Sequence, residues 1–210
     1  MADTATIKSW LRLLLCEHVG PVAFAILLAR FKTAEEALRH LPECARNGGL
    51  KKEVHLATQK QADEQLSLAE KAGARILLSI DSDYPHLLKQ IDAAPPVLFT
   101  RGNIALLNKK SLAVVGTRNA SLNGRNLAKK LAFDLAKSGL NIVSGMARGI
   151  DAAAHIGALA AGGATTAVLG TAVDEIYPFE NKELYQNLCQ NGCVVSEFPF
   201  KTPLAPGNFP

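Results

Sequence analysis

The stretch LAVVGTRNASLNGR, residues 112–125, runs from an apolar segment into a loop of glycine, arginine and small polar residues. A loop of this composition between a strand and a helix is suited to holding phosphate. Gly116 and Gly124 are too far apart for the dinucleotide pattern G-x-G-x-x-G. Arg125 and Asn126 stand where a P-loop has lysine and a hydroxyl residue. The stretch matches neither fingerprint, so the kind of phosphate it holds is still open.

Apolar segments alternate with amphipathic ones around this stretch. We interpret four apolar segments as buried strands that each lead into a loop: LAVV (112–115), NIVS (141–144), TTAVL (165–169) and CVVS (193–196). Earlier strand candidates are ARILLSI (74–80) and PPVLFTRG (95–102). After the first loop, Leu127, Leu131 and Leu135 recur at i, i+4 and i+8, which indicates one apolar helix face. The alternation predicts an α/β fold with a Rossmann-like doubly wound, mostly parallel sheet that is covered on both sides.

The N-terminal third has a helical pattern instead. Apolar residues recur at helical spacing through residues 7–41, residues 42–53 (PECARNGGLKKE) predict a loop, and residues 55–72 predict a polar helix ended by Gly73. We therefore expect a small helical domain before the sheet, which a chain of 210 residues can accommodate.

Bulk composition excludes some classes of protein. With 48% hydrophobic and 20% charged residues the chain has an ordinary globular composition, and its apolar runs are too short to cross a bilayer. The N-terminal apolar stretch, Trp10 to Cys16, lacks the charged start and the small-residue cleavage site of a secretory signal. We expect a cytoplasmic protein. The four cysteines lack the paired spacing of a zinc site, so we expect no metal. A net charge of +4 permits an anionic partner without requiring one.

Unusual residues follow the carboxyl ends of the predicted parallel strands, where ligands bind in such sheets. The first two loops carry Gly116, Arg118, Ser121, Gly145, Arg148 and Gly149. Glycine lets backbone N–H groups approach an oxygen closely, and a guanidinium presents a planar set of donors that suits phosphate. Tight turns would explain the glycines alone. Arginines at equivalent positions of both loops favour anion binding, and we predict a phosphate site there.

Acidic residues also follow these strands. Asp151 and His155 are one helical turn apart, which suits acid–base chemistry, but helix capping by Asp151 and packing of His155 explain them without it. Asp174 and Glu197 follow the third and fourth strands, where a carboxylate repels phosphate unless it orients an arginine or bonds a ribose or base. We expect all three carboxylates to shape the pocket and Glu197 to orient an arginine. Tyr177 either belongs to a structural turn or stacks on a base.

Motifs spread over much of the chain identify a family. They are AVVGTR (113–118) with Ser121 and Gly124, SGMARGIDAAAH (144–155), DEIYP (174–178) and Ser196-Glu197, preceded by Tyr84-Pro85, Pro95–Leu98 and Arg101-Gly102. Together they closely resemble the DNA-processing protein A (DprA/Smf) family over roughly residues 80–210. The helical start, with its Val19-Gly20-Pro21 turn, is similar to a small domain that many members carry.

The resemblance implies a bacterial cytoplasmic protein that is not an enzyme, needs no cofactor and binds single-stranded DNA without strong sequence preference. Members protect incoming DNA during natural transformation, load the RecA recombinase onto it and work as homodimers. Arg118 and Arg148 would contact phosphate, the loop glycines and Ser121 would shape the pocket, and Lys182 would add a basic contact. The implied domains are residues 1–65, a helical domain of the SAM or helix-hairpin-helix type, and residues 66–210, the Rossmann-like domain.

The sequence departs from the family pattern at three places. Asn123 stands where members often have an aromatic residue, and Ala172 replaces a usual glycine, where its Cβ would narrow the third loop. The sequence stops at Pro210, where members continue into an arginine-rich segment and often a winged-helix-like domain. We expect a truncated form whose DNA affinity understates that of the longer protein.

Two other functions compete with DNA binding. A nucleotide phosphoribohydrolase of the lysine-decarboxylase-like type would use glycine-rich loops and a catalytic glutamate, but only Gly162-Gly163 with Thr165 and Thr166 is similar to its hallmark. An interaction scaffold would form dimers without binding DNA. Arginines on neighbouring loops, without a lysine and hydroxyl poised for a triphosphate, favour an open groove that follows the internal phosphates of a single strand.

Overall fold

The structure, a computed structural model, describes residues 2–48 and 54–209. The chain forms two compact units, one of Met1–Ala72 with Ile76–Leu98 and the other of Gly73–Arg75 with Phe99–Pro210. The predicted boundary after residue 65 falls inside a helix that continues to Lys71.

The first unit contains four α-helices in its described part: α1 (Thr4–Leu14), α2 (Pro21–Phe31), α3 (Ala34–Asn47) and α4 (Gln59–Lys71). The predicted loop at 42–53 is wrong for residues 42–47, because α3 continues through Pro42. Leu41 and Ala45 are buried on either side of this proline, so packing of one continuous helix face outweighs its cost. Residues 49–53 of that prediction lie outside the described residues.

A single sheet runs through the described chain, with the order β1-β2-β6-β5-β4-β3. Its strands are β1 (Ala74–Leu78), β2 (Val97–Gly102), β3 (Ser111–Ala113), β4 (Asn141–Ser144), β5 (Thr165–Val168) and β6 (Cys193–Ser196). Strands β3 to β6 are parallel and β2 is antiparallel to β6. The parallel strands are joined by α5 (Leu122–Lys137), α6 (Ile150–Ala160) and α7 (Lys182–Asn191). The predicted α/β class with a mostly parallel sheet and an N-terminal helical domain is confirmed.

Strand β3 differs from the prediction of a buried strand at 112–115. It spans Ser111–Ala113, and all of its residues are exposed. The physical reason is its position at the end of the strand order, where only β4 pairs with it. A run of apolar residues that is typical of a central strand therefore forms an edge strand of the described sheet.

Helix α5 also differs, because it buries alanines rather than the predicted leucine face. Ala128, Ala132 and Ala136 are buried, whereas Leu127 is 69% and Leu131 is 47% exposed. A Cβ at position 157 of α6 would lie 2.1 Å from the carbonyl oxygen of Lys129. The two helix backbones therefore approach so closely that only small side chains fit between them.

Candidate functional site

The loops after β3 and β4 meet through close backbone packing at Gly149. A Cβ at this position would lie 2.3 Å from the carbonyl oxygen of Thr117 and 2.7 Å from that of Arg118. Its φ of 77° is also a conformation that side-chain-bearing residues adopt only with strain. The backbone N–H of Ile150 donates to the same Thr117 carbonyl at 3.3 Å. Glycine at 149 thereby brings the two arginine-bearing loops together.

Asp151 fixes the conformation of the second loop. Its buried carboxylate oxygen Oδ2 accepts the backbone N–H groups of Gly145 at 3.1 Å and Ala147 at 3.4 Å. A Cβ at position 145 would lie 2.8 Å from this oxygen. The bonds go to the loop rather than to the first turn of α6, where capping was expected. The N–H of Gly145 is therefore committed to Asp151 in this structure.

A cavity of about 230 Å³ opens where the loops meet. Its lining residues are Arg118, Asn119, Gly145, Ala147, Arg148, Tyr177, Pro178 and Phe209. Both predicted arginines thus line one cavity. Ser121 caps α5, since its Oγ accepts the N–H of Gly124 at 3.1 Å, while Gly116 packs on Ile150. Lys182, Asp174 and Glu197 are not among the lining residues.

The carboxylate that pairs with Arg148 is Glu180, not Glu197. Arg148 Nε lies 2.5 Å from Glu180 Oε1, and Nη2 donates to Oε2 at 2.7 Å. The neighbouring Asn181 donates from Nδ2 to the carbonyl oxygen of Met146 at 2.8 Å. Glu180 and Asn181 thus attach the start of α7 to the second loop. Neither contact could be predicted from the sequence, because the two partners of each lie far apart along the chain.

Lys182, Asp174 and Glu197, which were also predicted to belong to the site, are not among the residues that line the cavity. Lys182 Nζ lies 5.6 Å from the ring centroid of the exposed Phe179. Burial lowers the pKa of Arg101, but Tyr185, Cys189 and the exposed Asp174 together raise that pKa above its ordinary value. Glu197 is exposed. Asp174 is thus the smallest of the influences that favour the charged form of Arg101.

His155 is buried beneath the site and is not poised for acid–base chemistry. Burial lowers its pKa to about 4, an effect that the carbonyl of Ser144 partly offsets, so the ring is neutral near pH 7. Its Nδ1 lies 2.7 Å from Oγ1 of Thr165, which donates its own hydrogen to the carbonyl of Ile142. The ring therefore donates from Nδ1. With Asp151 bonded to backbone, neither member of the pair faces a substrate.

Three further observations concern other functions: the glycine pair of a phosphoribohydrolase, a metal site and a membrane-spanning helix. Gly162-Gly163 precedes β5 and so lies at the amino end of that strand, whereas the arginine loops follow carboxyl ends. Within residues 2–48 and 54–209, no group of three or more His, Cys, Asp or Glu side chains could hold a metal ion. None of the helices described is long and apolar enough to cross a membrane.

Comparison of the sequence with known families gives two matches. The family of DNA recombination-mediator protein A matches residues 75–210, and the DprA-like N-terminal HHH domain matches residues 5–67. Protein Smf of Synechocystis is 33% identical over 213 residues, which cover 96% of this chain and 53% of the relative. DNA processing protein DprA of Streptococcus pneumoniae is 44% identical over 126 residues, covering 60% of this chain and 44% of the relative. The chain thus spans about half the length of these relatives.

Solved structures agree with this result. The crystal structure of DprA from Streptococcus pneumoniae superposes with a TM-score of 0.73 at 28% identity, covering 99% of this chain and 72% of that one. DNA processing protein A from Helicobacter pylori, whose structure is described for a unique single-stranded DNA binding mode, gives a TM-score of 0.56 at 29% identity, covering 64% of this chain and 60% of that one. Motifs, fold and family matches agree, and the chain belongs to the DprA/Smf family of DNA recombination-mediator proteins.

Proposed function

We propose that the cavity and its two arginines bind internal phosphates of single-stranded DNA. The observation that carries this proposal is that Arg118 and Arg148, from loops after two adjacent parallel strands, line one cavity. Both side chains are exposed. The hydroxyl of Ser121, as the cap of the helix that follows the first loop, lies at the positive end of that helix. These groups supply the donors and positive charge that a phosphodiester needs.

The chemistry of the site supports a polynucleotide rather than a reacting nucleotide. The Asp151 carboxylate is bonded to backbone and His155 is fully buried, so neither offers a base or an acid to a substrate. The glycine pair that is similar to the phosphoribohydrolase hallmark lies at the amino end of β5. We therefore do not propose nucleotide hydrolysis.

Family membership supports a wider role for the whole protein. We propose that it acts in the bacterial cytoplasm during natural transformation, where it protects incoming single strands and loads the RecA recombinase as a homodimer. The Helicobacter pylori relative with a described single-stranded DNA binding mode supports the first step of this role.

The proposal is tested by fluorescence anisotropy with a labelled oligothymidylate and with a duplex of the same length. We expect the chain to bind the single strand more tightly and to lose affinity linearly with the logarithm of salt concentration, because phosphate contacts release counterions. No binding of the single strand at low salt would overturn the proposal. Release of free base from a nucleoside monophosphate would favour the enzyme instead.

A further inference from the structure

A groove of about 840 Å³ runs between α6 and α7. On α6 its lining includes Ile156 and Leu159, and on α7 it extends from Glu183 to Asn191. At a rise of about 1.5 Å per residue, this lining follows α7 for about 12 Å, which is more than two helical turns. The groove is therefore long enough to take a short helix.

Apolar side chains form a strip along this groove. The strip consists of Ile156, Leu159 and Leu184, which all line the groove. Ile156 is 43% exposed, and the two leucines are half-buried. Because Ile156 and Leu159 are spaced i, i+3, they lie on one face of α6. An apolar strip between two helices fits the apolar face of an amphipathic helix.

The charged residues of the groove are acidic. Glu180 and Glu183 both line it and are exposed, and none of the described lining residues is a lysine, an arginine or a histidine. The chain as a whole differs from this surface, because its net charge is +4. Two carboxylates and no cation in the lining favour a positively charged partner by charge complementarity.

Glu180 connects the groove with the arginine cavity. It lines the groove, and its carboxylate pairs with Arg148, which lines the cavity. A lysine or arginine bound in the groove would compete with Arg148 for this carboxylate. Both side chains of the pair are exposed, and exposed ion pairs are weak, so Glu180 can exchange one cation for the other at a small energetic cost.

We propose that the groove binds a basic amphipathic helix of a partner protein. The apolar face of this helix covers the apolar strip, and its cations pair with Glu180 and Glu183. Pairing with Glu180 releases Arg148 and so strengthens the binding of phosphate in the cavity. The coupling is reciprocal, so a bound DNA strand also strengthens binding of the helix. The docking is independent of the proposed function, and only the coupling rests on it.

Selection from a displayed library of helical peptides tests the docking, with Ile156→Asp as the counterselection. We expect enrichment of peptides that repeat apolar residues at i, i+3 or i+4, and i+7 and that carry lysine or arginine beside them. A selected peptide should bind Ile156→Asp at least about tenfold more weakly, because an apolar contact is lost and a charge faces the apolar strip. Leu131→Asp is the matched control, since Leu131 is 47% exposed on α5 and does not line the groove.

A second variant tests the charges of the groove without changing the apolar strip. Glu183→Lys should weaken binding of the selected peptide about fivefold at low salt, because an attraction becomes a repulsion. Selected peptides that are acidic, that lack helical spacing or that bind wild type and Ile156→Asp equally would overturn the docking. Self-association of the wild type that Ile156→Asp abolishes in sedimentation velocity would also overturn it, because the occupant would then be a second copy.

Fluorescence anisotropy with labelled oligothymidylate tests the coupling. A saturating selected peptide should raise the affinity of the wild type about two- to fivefold and leave Glu180→Gln unchanged, because Arg148 is already free in that variant. The same rise in Ile156→Asp would mean that the peptide contacts the strand directly, which would overturn the coupling.

The two parts of the proposal fail in different ways. A peptide that binds the groove without changing the DNA affinity of the wild type would overturn the coupling and leave the docking standing. If the chain bound no single strand with or without the peptide, the proposed function and the coupling would both be wrong. The peptide selection would still decide whether the groove is a docking site.

Discussion

Arg148 and Glu180 form a two-point ion pair at the cavity, with Nε–Oε1 and Nη2–Oε2 distances of 2.5 and 2.7 Å. A carboxylate in this position presents to the guanidinium the same two oxygens that a phosphate would present. Both side chains are exposed, so the pair is weak and can exchange its partner. If the cavity binds DNA as proposed, Glu180 is a competitor that a phosphate would have to displace from Arg148.

Replacing Glu180 with glutamine should strengthen binding of single-stranded DNA. The change removes a negative charge that repels phosphate and frees Arg148, and we expect affinity to rise about two- to fivefold at low salt, the effect of one exposed charge pair. Anisotropy titrations at several salt concentrations measure it. Glu183→Gln is the control, because it makes the same change in net charge at an exposed residue of α7, whereas the ion pair with Arg148 is formed by Glu180. Weaker binding by Glu180→Gln than by Glu183→Gln would mean that Glu180 positions Arg148 instead.

Removing either loop arginine should weaken binding of unrelated single strands alike. We expect Arg118→Ala and Arg148→Ala each to cost about 1–3 kcal/mol of binding free energy. Each should also reduce the magnitude of the slope of log affinity against log salt concentration by about 1, as expected if each side chain contacts a phosphate and not a base edge. Arg39→Ala is the control, because Arg39 lies on α3 and pairs with Glu35 and Glu36. A salt slope unchanged in both cavity variants would contradict phosphate binding there.

A side chain at position 149 should destabilise the fold for two separate reasons, a steric clash and backbone strain. Gly149→Ala places a Cβ 2.3 Å from the Thr117 carbonyl oxygen and also forces alanine to a φ of 77°. Gly162→Ala serves as a control for a positive φ alone, since its φ is 63° and no atom lies within 4 Å of the added Cβ. Gly149 combines its φ with a ψ of −118°, outside the left-handed helical region, so its backbone cost is the larger of the two. We expect about 1–2 kcal/mol of destabilisation for Gly162→Ala from backbone strain and clearly more for Gly149→Ala, in denaturant unfolding followed by circular dichroism. Equal losses would show that the loops can separate without cost.

The sequence predicted the features that depend on local pattern. Parallel strands and the rule that their carboxyl ends share one edge were enough to bring Arg118 and Arg148 to one place. The partner of Arg148 could not be predicted, because Glu180 and Glu197 both follow the same sheet edge and only side-chain geometry separates them. Sequence pattern indicates which loop holds a residue, but not which neighbour it contacts.

Burial was predicted less well than secondary structure, and α5 shows why. A leucine stripe and an alanine stripe both repeat at helical spacing on this helix, and hydrophobicity alone favours the leucines. Packing against α6 determines that the alanine stripe is buried. Gly157 of α6 lets the two helix backbones approach so closely that leucine side chains would not fit between them. Strand β3 shows the same limit, because its apolar sequence does not tell how many strands pair with it.

His155 should make the folded protein sensitive to acid. The unfolded chain binds a proton at this residue near pH 6.5, whereas the folded state does so only near pH 4, so between these values the unfolded state holds more protons. Stability should therefore fall as the pH drops from 6.5 towards 4, by up to about 3 kcal/mol from this group once both states are protonated.

The variant His155→Asn tests this origin, because an asparagine amide can still donate to Thr165 but does not titrate. Denaturant unfolding at pH 7 and near pH 4.5 should show a smaller loss in the variant than in the wild type, even if the variant is less stable at both values. His40→Asn, at an exposed position on α3, should keep the wild-type loss. If His155→Asn lost as much stability as the wild type on acidification, the buried ring would not be the group that takes up the proton.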